Sequence, residues 1–169
     1  MNEIDSQFPI PSASIRNPLR DGFVWLWRWF WRLALVVSLP YAWYSFYVPS
    51  NDIAWAADYP SAQRLAEESG RPLILFFTGE WCVPCRVMKR QVWADDQVAS
   101  MVNAKFIALT IDIDAQKGEV ALAQYPIVTT PTTIIAEPGG MILRKVEGGM
   151  SREEFLEMLE SAGSNRDSG

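Results

Sequence analysis

Apolar and polar stretches alternate along residues 49–169 in a pattern that predicts strands and helices in turn. A continuous apolar run over residues 72–77 has the length and composition of a strand buried on both faces, and the largely apolar stretch over 105–113 predicts a second buried strand. Apolar residues at helical spacing, each group preceded by a capping Asp or Ser, predict helices after positions 58, 95 and 151. Shorter segments complete the series, with strands predicted at 53–56, 132–136 and 141–146 and helices from 82 and over 116–124.

The predicted order, β-α-β-α-β-α-β-β-α, determines the fold class. Strands that alternate with helices give parallel neighbours, whereas the last two strands are joined by the hairpin sequence Glu-Pro-Gly-Gly at 137–140. We therefore predict an α/β domain with a central mixed β-sheet flanked by helices. Residues 163–169 are predicted to form a flexible tail.

Residues 23–48 have a different character from the rest of the chain. They contain 11 of the 21 aromatic residues (8 Trp, 5 Tyr and 8 Phe), and their only charges are Arg28 and Arg32. Such a segment is typical of an N-terminal transmembrane signal-anchor helix with Trp rings at the interface. Three other interpretations stay open: a helix lying in the membrane plane, a cleaved signal peptide and a buried core helix.

The distribution of charge predicts the orientation of this segment. Asp52 and Asp58 follow the apolar core, and residues 1–22 are predicted to be a disordered tail. Basic residues precede the core, namely Arg16, Arg20, Arg28 and Arg32. By the positive-inside rule, we predict a single-pass protein of the bacterial inner membrane, with a cytoplasmic N-terminus and a periplasmic domain. An anchored domain that faces the cytoplasm is the alternative.

Composition excludes several kinds of chemistry. The chain of 169 residues has no His, so Ser-His-Asp and Cys-His catalysis are excluded. Its two Cys are too few for a four-Cys zinc site, and we predict no metal and no cofactor. A net charge of −5 argues against nucleic-acid binding, because phosphate contacts need a basic surface.

The two cysteines lie at Cys82 and Cys85, where a buried strand is followed by the start of a helix. Side chains three residues apart in the first helical turn are neighbours, so the two sulfurs can form a disulfide with little backbone movement. The helix N-terminus favours a thiolate at the first Cys, and Pro84 in the first turn costs no hydrogen bond. This context indicates redox chemistry. A purely structural disulfide and a metal site are the alternatives.

The sequence Trp81-Cys82-Val83-Pro84-Cys85 resembles the active site of thioredoxins. Thr130-Pro131 resembles the cis-proline segment that faces the Cys pair in that family, and Gly148-Gly149 the loop that completes its substrate groove. The resemblance covers residues 52–162 and implies a thioredoxin fold. The chain is also similar to the C-terminal domain of the periplasmic transmembrane disulfide reductase family, and to membrane-anchored thioredoxin-like proteins.

This sequence departs from the thioredoxin pattern at three positions. Thioredoxins carry a buried Asp six residues before the first Cys, where this chain has Phe76. Because that Asp is thought to help deprotonate the second Cys, the proton route must differ here. Val83 replaces Gly between the cysteines, and Thr130 precedes the proline where Ile is usual.

The resemblance implies a thiol–disulfide oxidoreductase in which Cys82 attacks a disulfide and Cys85 resolves the mixed disulfide. Trp81, Val83, Pro84, Thr130, Pro131, Gly148 and Gly149 are the expected substrate-binding residues. The expected partners are protein disulfides or dithiols and an upstream electron donor, with reduction the favoured direction. The alternative is a thioredoxin-like binding or assembly factor whose Cys pair does not turn over.

Overall fold

The computed structural model describes residues 18–164, and the chain divides into two compact units, 1–47 and 48–169. Helix α1 (Pro18–Phe46) belongs to the first unit and continues past Pro40. No described helix is both long and apolar enough to cross a membrane. The predicted tails at 1–22 and 163–169 lie largely outside the described residues.

Over residues 48–164, the second unit has a four-stranded sheet in the order β2-β1-β3-β4. Strand β1 pairs in parallel with β2 and antiparallel with β3, and β3 pairs antiparallel with β4, so the sheet is mixed as predicted. The strands are β1 (Leu73–Thr78), β2 (Ile107–Asp112), β3 (Thr132–Ala136) and β4 (Ile142–Glu147).

Helices cover both faces of this sheet. They are α2 (Tyr59–Ser69), α3 (Val83–Met88), α4 (Asp96–Lys105), α5 (Glu119–Gln124) and α6 (Arg152–Ser164). A π-helical turn (Lys89–Trp93) continues α3, and a 3-10 turn (Gln116–Gly118) precedes α5.

Alternation along β1 divides the buried residues into two clusters, because successive side chains point to opposite faces. Ile74 and Phe76 face the cluster that contains Cys85, Trp93 and Phe155. The residues that alternate with them, including Leu75, face the other cluster with Tyr59, Ala62 and Tyr125. The strand that leads into α3 is thus packed against a buried cluster on each face.

The predicted caps are present. The Asp58 side chain accepts from the Ser61 N–H at 2.8 Å, and Gly70 ends α2 with a φ of 66°. The Ser151 N–H donates to Glu154 Oε2 at 2.7 Å, and Ser151 Oγ accepts from the Glu154 N–H at 3.2 Å. These reciprocal bonds satisfy donors that the first helical turn leaves without partners.

The predicted strand at 53–56 is wrong. Only Trp55 forms a β-bridge, to Ala108. The two preceding backbone N–H groups are bound by side chains: Ile53 donates to Asn51 Oδ1 at 3.3 Å and Ala54 to Asn103 Oδ1 at 2.9 Å. The Ala56 N–H, which follows, donates to the Ala108 carbonyl at 2.8 Å. Side-chain acceptors therefore bind the N–H groups before Trp55, and the pairing with β2 is limited to a single bridge.

Candidate functional site

The Cys82–Cys85 pair lies directly after the carboxyl end of β1. Residues 79–81 turn the chain, and the Cys82 N–H donates to the Gly79 carbonyl at 3.2 Å. Cys82 is the N-cap of α3 with extended backbone, and its sulfur accepts from the Cys85 N–H at 3.2 Å. The two residues form a disulfide with Cα atoms 5.2 Å apart. The sulfur of Cys82 thus occupies the position where the helix N-terminus stabilises negative charge.

The two sulfur-bearing residues differ in exposure. Cys82 is half-buried, whereas Cys85 is fully buried among apolar side chains. Trp81 is 78% exposed and Val83 56% exposed, so both flank Cys82 at the surface. Trp81 therefore lies at the surface and not in the core. Only the first cysteine of the pair is accessible to a large substrate.

The Thr130–Pro131 segment and the disulfide lie at the same end of the sheet, where β1 ends and β3 begins. The Thr130–Pro131 peptide bond is cis, and the register of β1 with β3 pairs Phe77 with Thr132. Pro131 therefore precedes β3 where β1 leads into the Cys turn. The Pro131 carbonyl accepts from the Gly148 N–H at 2.7 Å, which joins the proline segment to the glycine loop.

Only part of the proline segment and of the glycine loop is exposed. Pro131 is buried, so the half-buried Thr130 and the exposed Gly149 present the accessible part of the two loops. Gly148 has a φ of 96°, a conformation that non-glycine residues rarely adopt. The structure thus brings the sequence-predicted loops together and shows which of their residues a partner could touch.

A family model described as a thioredoxin-like domain matches residues 59–163. The chain belongs to this family. Thiol:disulfide interchange protein DsbD of Yersinia enterocolitica is 31% identical over 110 residues, which are 62% of this chain and 19% of that protein. DsbD of Ralstonia nicotianae is 28% identical over 108 residues, 63% of this chain and 18% of that protein. The chain thus spans about a fifth of the length of these curated relatives.

Solved structures agree on the thioredoxin fold. A thioredoxin from Thermus thermophilus is similar with a TM-score of 0.59 and 27% identity, over 66% of this chain and 87% of that chain. The DsbD C-terminal domain of Neisseria meningitidis, in its oxidised form, has a TM-score of 0.51 and 18% identity, over 60% and 90%. Because the identity to the Neisseria domain is only 18%, that similarity is evidence for the fold alone.

Within this thioredoxin fold, the site departs from the family pattern beneath the disulfide. Phe76, where thioredoxins carry the buried Asp, is 1% exposed and its ring centroid lies 5.1 Å from that of Trp93. Phe76 and Cys85 belong to the same apolar cluster. The carboxylate of the family is thus replaced by packed aromatic surface.

Lys89 is a charged residue near the site that the sequence reasoning missed. It lies four residues after Cys85, and its N–H donates to the Cys85 carbonyl. Half-burial lowers the pKa of Lys89; the Asp112 carboxylate opposes this shift and Arg86 adds to it. The helical spacing from Cys85 was the signal in the sequence that could have identified it.

An apolar groove opens beside the proline segment. It has a volume of about 510 Å³, and the side chain of Val128 at its rim is 86% exposed. Its lining residues are Ile113, Leu122, Ile127, Val128, Thr129 and Thr130. Within residues 18–164, no three acidic or Cys side chains converge as metal ligands.

Proposed function

We propose that the chain is a thiol–disulfide oxidoreductase that reduces protein disulfides through Cys82 and Cys85. The observation that carries this proposal is the asymmetry of the pair. The half-buried Cys82 caps α3, where a thiolate is favoured, and the fully buried Cys85 lies within reach of it but away from solvent. An accessible nucleophile with a shielded partner is the arrangement that thiol–disulfide exchange requires.

The reaction proceeds through a mixed disulfide. The Cys82 thiolate attacks one sulfur of a substrate disulfide, and the second substrate sulfur leaves as a thiolate that takes a proton from solvent. The deprotonated Cys85 then attacks Cys82, forming the Cys82–Cys85 disulfide and releasing the other substrate thiol. The substrate gains two electrons and the Cys pair loses two, so an upstream dithiol donor must reduce the pair again.

The surface around Cys82 suits an extended polypeptide. Trp81 and Val83 offer apolar contact on one side, and Thr130 offers backbone groups next to the cis peptide bond. A substrate segment would pair with that backbone in the manner of an added strand. The groove ending at Val128 would receive its apolar side chains.

The equilibrium of the Cys pair with glutathione redox buffers tests this function. A potential near that of thioredoxin, roughly −270 mV, supports the proposed reductase. A value near roughly −120 mV would identify an oxidant instead. The absence of reversible exchange would contradict an oxidoreductase of either kind and would support a binding or assembly factor.

We further propose that residues 23–48 attach the protein to the bacterial inner membrane, with the thioredoxin-like domain in the periplasm. The aromatic content of this segment, its basic residues Arg28 and Arg32, and the DsbD relatives support this location. Reporter fusions at the C-terminus test the compartment: activity of a periplasm-dependent reporter is expected. Resistance to alkaline carbonate extraction would identify a spanning segment, whereas release would identify one that lies in the interface.

A further inference from the structure

Helix α1 carries two basic side chains and two indole rings on one face. Trp25, Arg28, Trp29 and Arg32 stand at positions i, i+3, i+4 and i+7, the spacing that places side chains together on a helix surface. The ring centroids of Trp25 and Trp29 lie 5.9 Å apart. With Val24, these four exposed side chains line a shallow groove of about 350 Å³, which we call the Trp–Arg groove.

The positive charge of the Trp–Arg groove is not neutralised within residues 18–164. Neither Arg28 nor Arg32 takes part in an ion pair there. No acidic residue occurs over positions 22–51, so this stretch of the chain offers them no carboxylate. Two guanidinium groups one helical turn apart, both exposed and without a counter-ion, favour an anionic ligand.

The place of the groove in the segment indicates which anion it meets. A guanidinium group is costly in the hydrocarbon interior, so residues 25–32 lie at the depth of the lipid headgroups, whether the rest of the segment spans the membrane or lies in its plane. Residues 33–48 carry no charge. Trp25 and Trp29 prefer the same depth, because the indole ring is apolar and its N–H donates a hydrogen bond. The anionic group that is abundant at this depth is the phosphate of phospholipids.

The charges of the groove also discriminate between classes of phospholipid. A zwitterionic headgroup carries an ammonium beside its phosphate, which the two guanidinium groups would repel and no carboxylate over 22–51 would receive. Phosphatidylglycerol, an anionic lipid, has only hydroxyl groups beyond its phosphate. Arg donors bind phosphate oxygens in a bidentate manner, and indole N–H groups donate to hydroxyl or ester oxygens.

We propose that the Trp–Arg groove binds the headgroup of an anionic phospholipid. Arg28 and Arg32 bind its phosphate, and Trp25 and Trp29 flank its glycerol ester groups. This inference rests on the proposed attachment of residues 23–48 to the membrane and does not depend on the chemistry of the Cys pair. The segment then selects the lipids around it and does more than attach the protein through apolar surface.

Quenching of tryptophan fluorescence by brominated lipids tests this preference. The full chain is reconstituted into vesicles of phosphatidylcholine and phosphatidylglycerol at about 0.15 M salt, where charges more than about 8 Å apart are largely screened. One lipid at a time is brominated near the ester end of its acyl chains. The two quenching curves, measured as the share of phosphatidylglycerol rises, give its affinity for the segment relative to phosphatidylcholine. We expect the wild-type chain to prefer phosphatidylglycerol about fivefold or more.

Three variants make the test specific, and none changes a tryptophan, so their quenching can be compared directly. Arg28→Gln combined with Arg32→Gln should bind the two lipids equally. Arg28→Lys combined with Arg32→Lys keeps both charges but loses the bidentate donors, so its preference should fall between those of the wild type and the Gln variant. Arg64→Gln makes the first chemical change at an exposed position of α2 and should leave the preference unchanged.

Each contrary result is distinguishable. Equal binding of the two lipids by the wild-type chain would overturn the preference for an anionic headgroup. An undiminished preference in the Gln variant would overturn the role of the two Arg residues, and full preference in the Lys variant would overturn bidentate recognition and leave only attraction between charges. Failure of the wild-type chain to associate with vesicles of any composition would overturn the proposed attachment itself, and the inference with it.

Discussion

The two faces of the sheet differ in whether their buried polar groups have hydrogen-bond partners. On the face of α2 and α5, the Tyr59 and Tyr125 hydroxyls lie 3.2 Å apart, and Tyr125 also donates to the Gly140 carbonyl at 3.1 Å. On the face of α3, the side-chain atoms Thr78 Oγ1, Trp93 Nε1 and Thr133 Oγ1 are buried without a hydrogen-bond partner within residues 18–164.

We call the face covered by α3 the reactive face, because Cys85 lies there, and the face covered by α2 and α5 the stabilising face. A buried polar group without a partner costs about 1–3 kcal/mol, so the α3 face gives up stability that the other face retains. That face also carries Cys85, the residue that must change its protonation and bonding state. Unsatisfied groups are expected where a site needs donors and acceptors only in part of its cycle.

The largest expected effect comes from the reactive face. Cys82→Ser should abolish disulfide reduction, because a Ser hydroxyl is not a useful nucleophile toward sulfur at neutral pH. Cys85→Ser should retain the first attack and accumulate mixed disulfides. Turnover with a protein disulfide and mass spectrometry of trapped adducts measure both. Full activity in Cys82→Ser would contradict the proposed chemistry.

A second prediction concerns the stability of the reactive face. The buried ring of Trp93 packs against Phe76, Trp55 and Phe155, with ring centroids 4.7 to 5.1 Å away. Trp93→Ala should lower the free energy of unfolding by about 3–5 kcal/mol, measured by denaturant titration. Trp81→Ala is the matched control: since that ring is 78% exposed, stability should hardly change. Equal losses would contradict the assigned positions.

A third prediction compares one hydroxyl from each face. Tyr125→Phe removes both hydrogen bonds of that hydroxyl and should destabilise the domain by about 1 kcal/mol. Thr133→Val removes a buried hydroxyl that has no described partner, so its stability should be unchanged or higher. Thermal unfolding of both variants measures the contrast. A larger loss in Thr133→Val would contradict the distinction between the faces.

Much of this architecture could be predicted from the sequence because it follows local rules. The apolar run over 72–77 became β1 (Leu73–Thr78), and the Ser151–Glu154 pattern became a capping box. Spacing and local context also identified the Cys pair. The strand expected at 53–56 was wrong, since its pairing depends on which distant residues are available to accept hydrogen bonds.

The smallest expected effect is electrostatic and lies on the α3 face. Asp95 caps α4 and accepts from Arg152 Nε at 2.6 Å, which links α4 to α6. Burial raises the pKa of Asp95, but the hydrogen bonds from Arg152, Val98 and Gln97 and the Arg152 charge outweigh it, so the net pKa is lowered. The carboxylate therefore stabilises the fold above its ordinary pKa of 3.8, and this contribution is lost as the pH falls through the lowered value.

Asp95→Asn tests this link, because the amide can still cap α4 but carries no charge for Arg152. We expect a loss below about 1 kcal/mol at pH 7 that disappears at acidic pH, where the wild-type carboxyl is also neutral. Urea unfolding at a series of pH values measures it. The neighbouring, exposed Asp96→Asn should show a smaller difference from wild type. A loss in Asp95→Asn that does not depend on pH would show that Asp95 acts only through its shape as a cap.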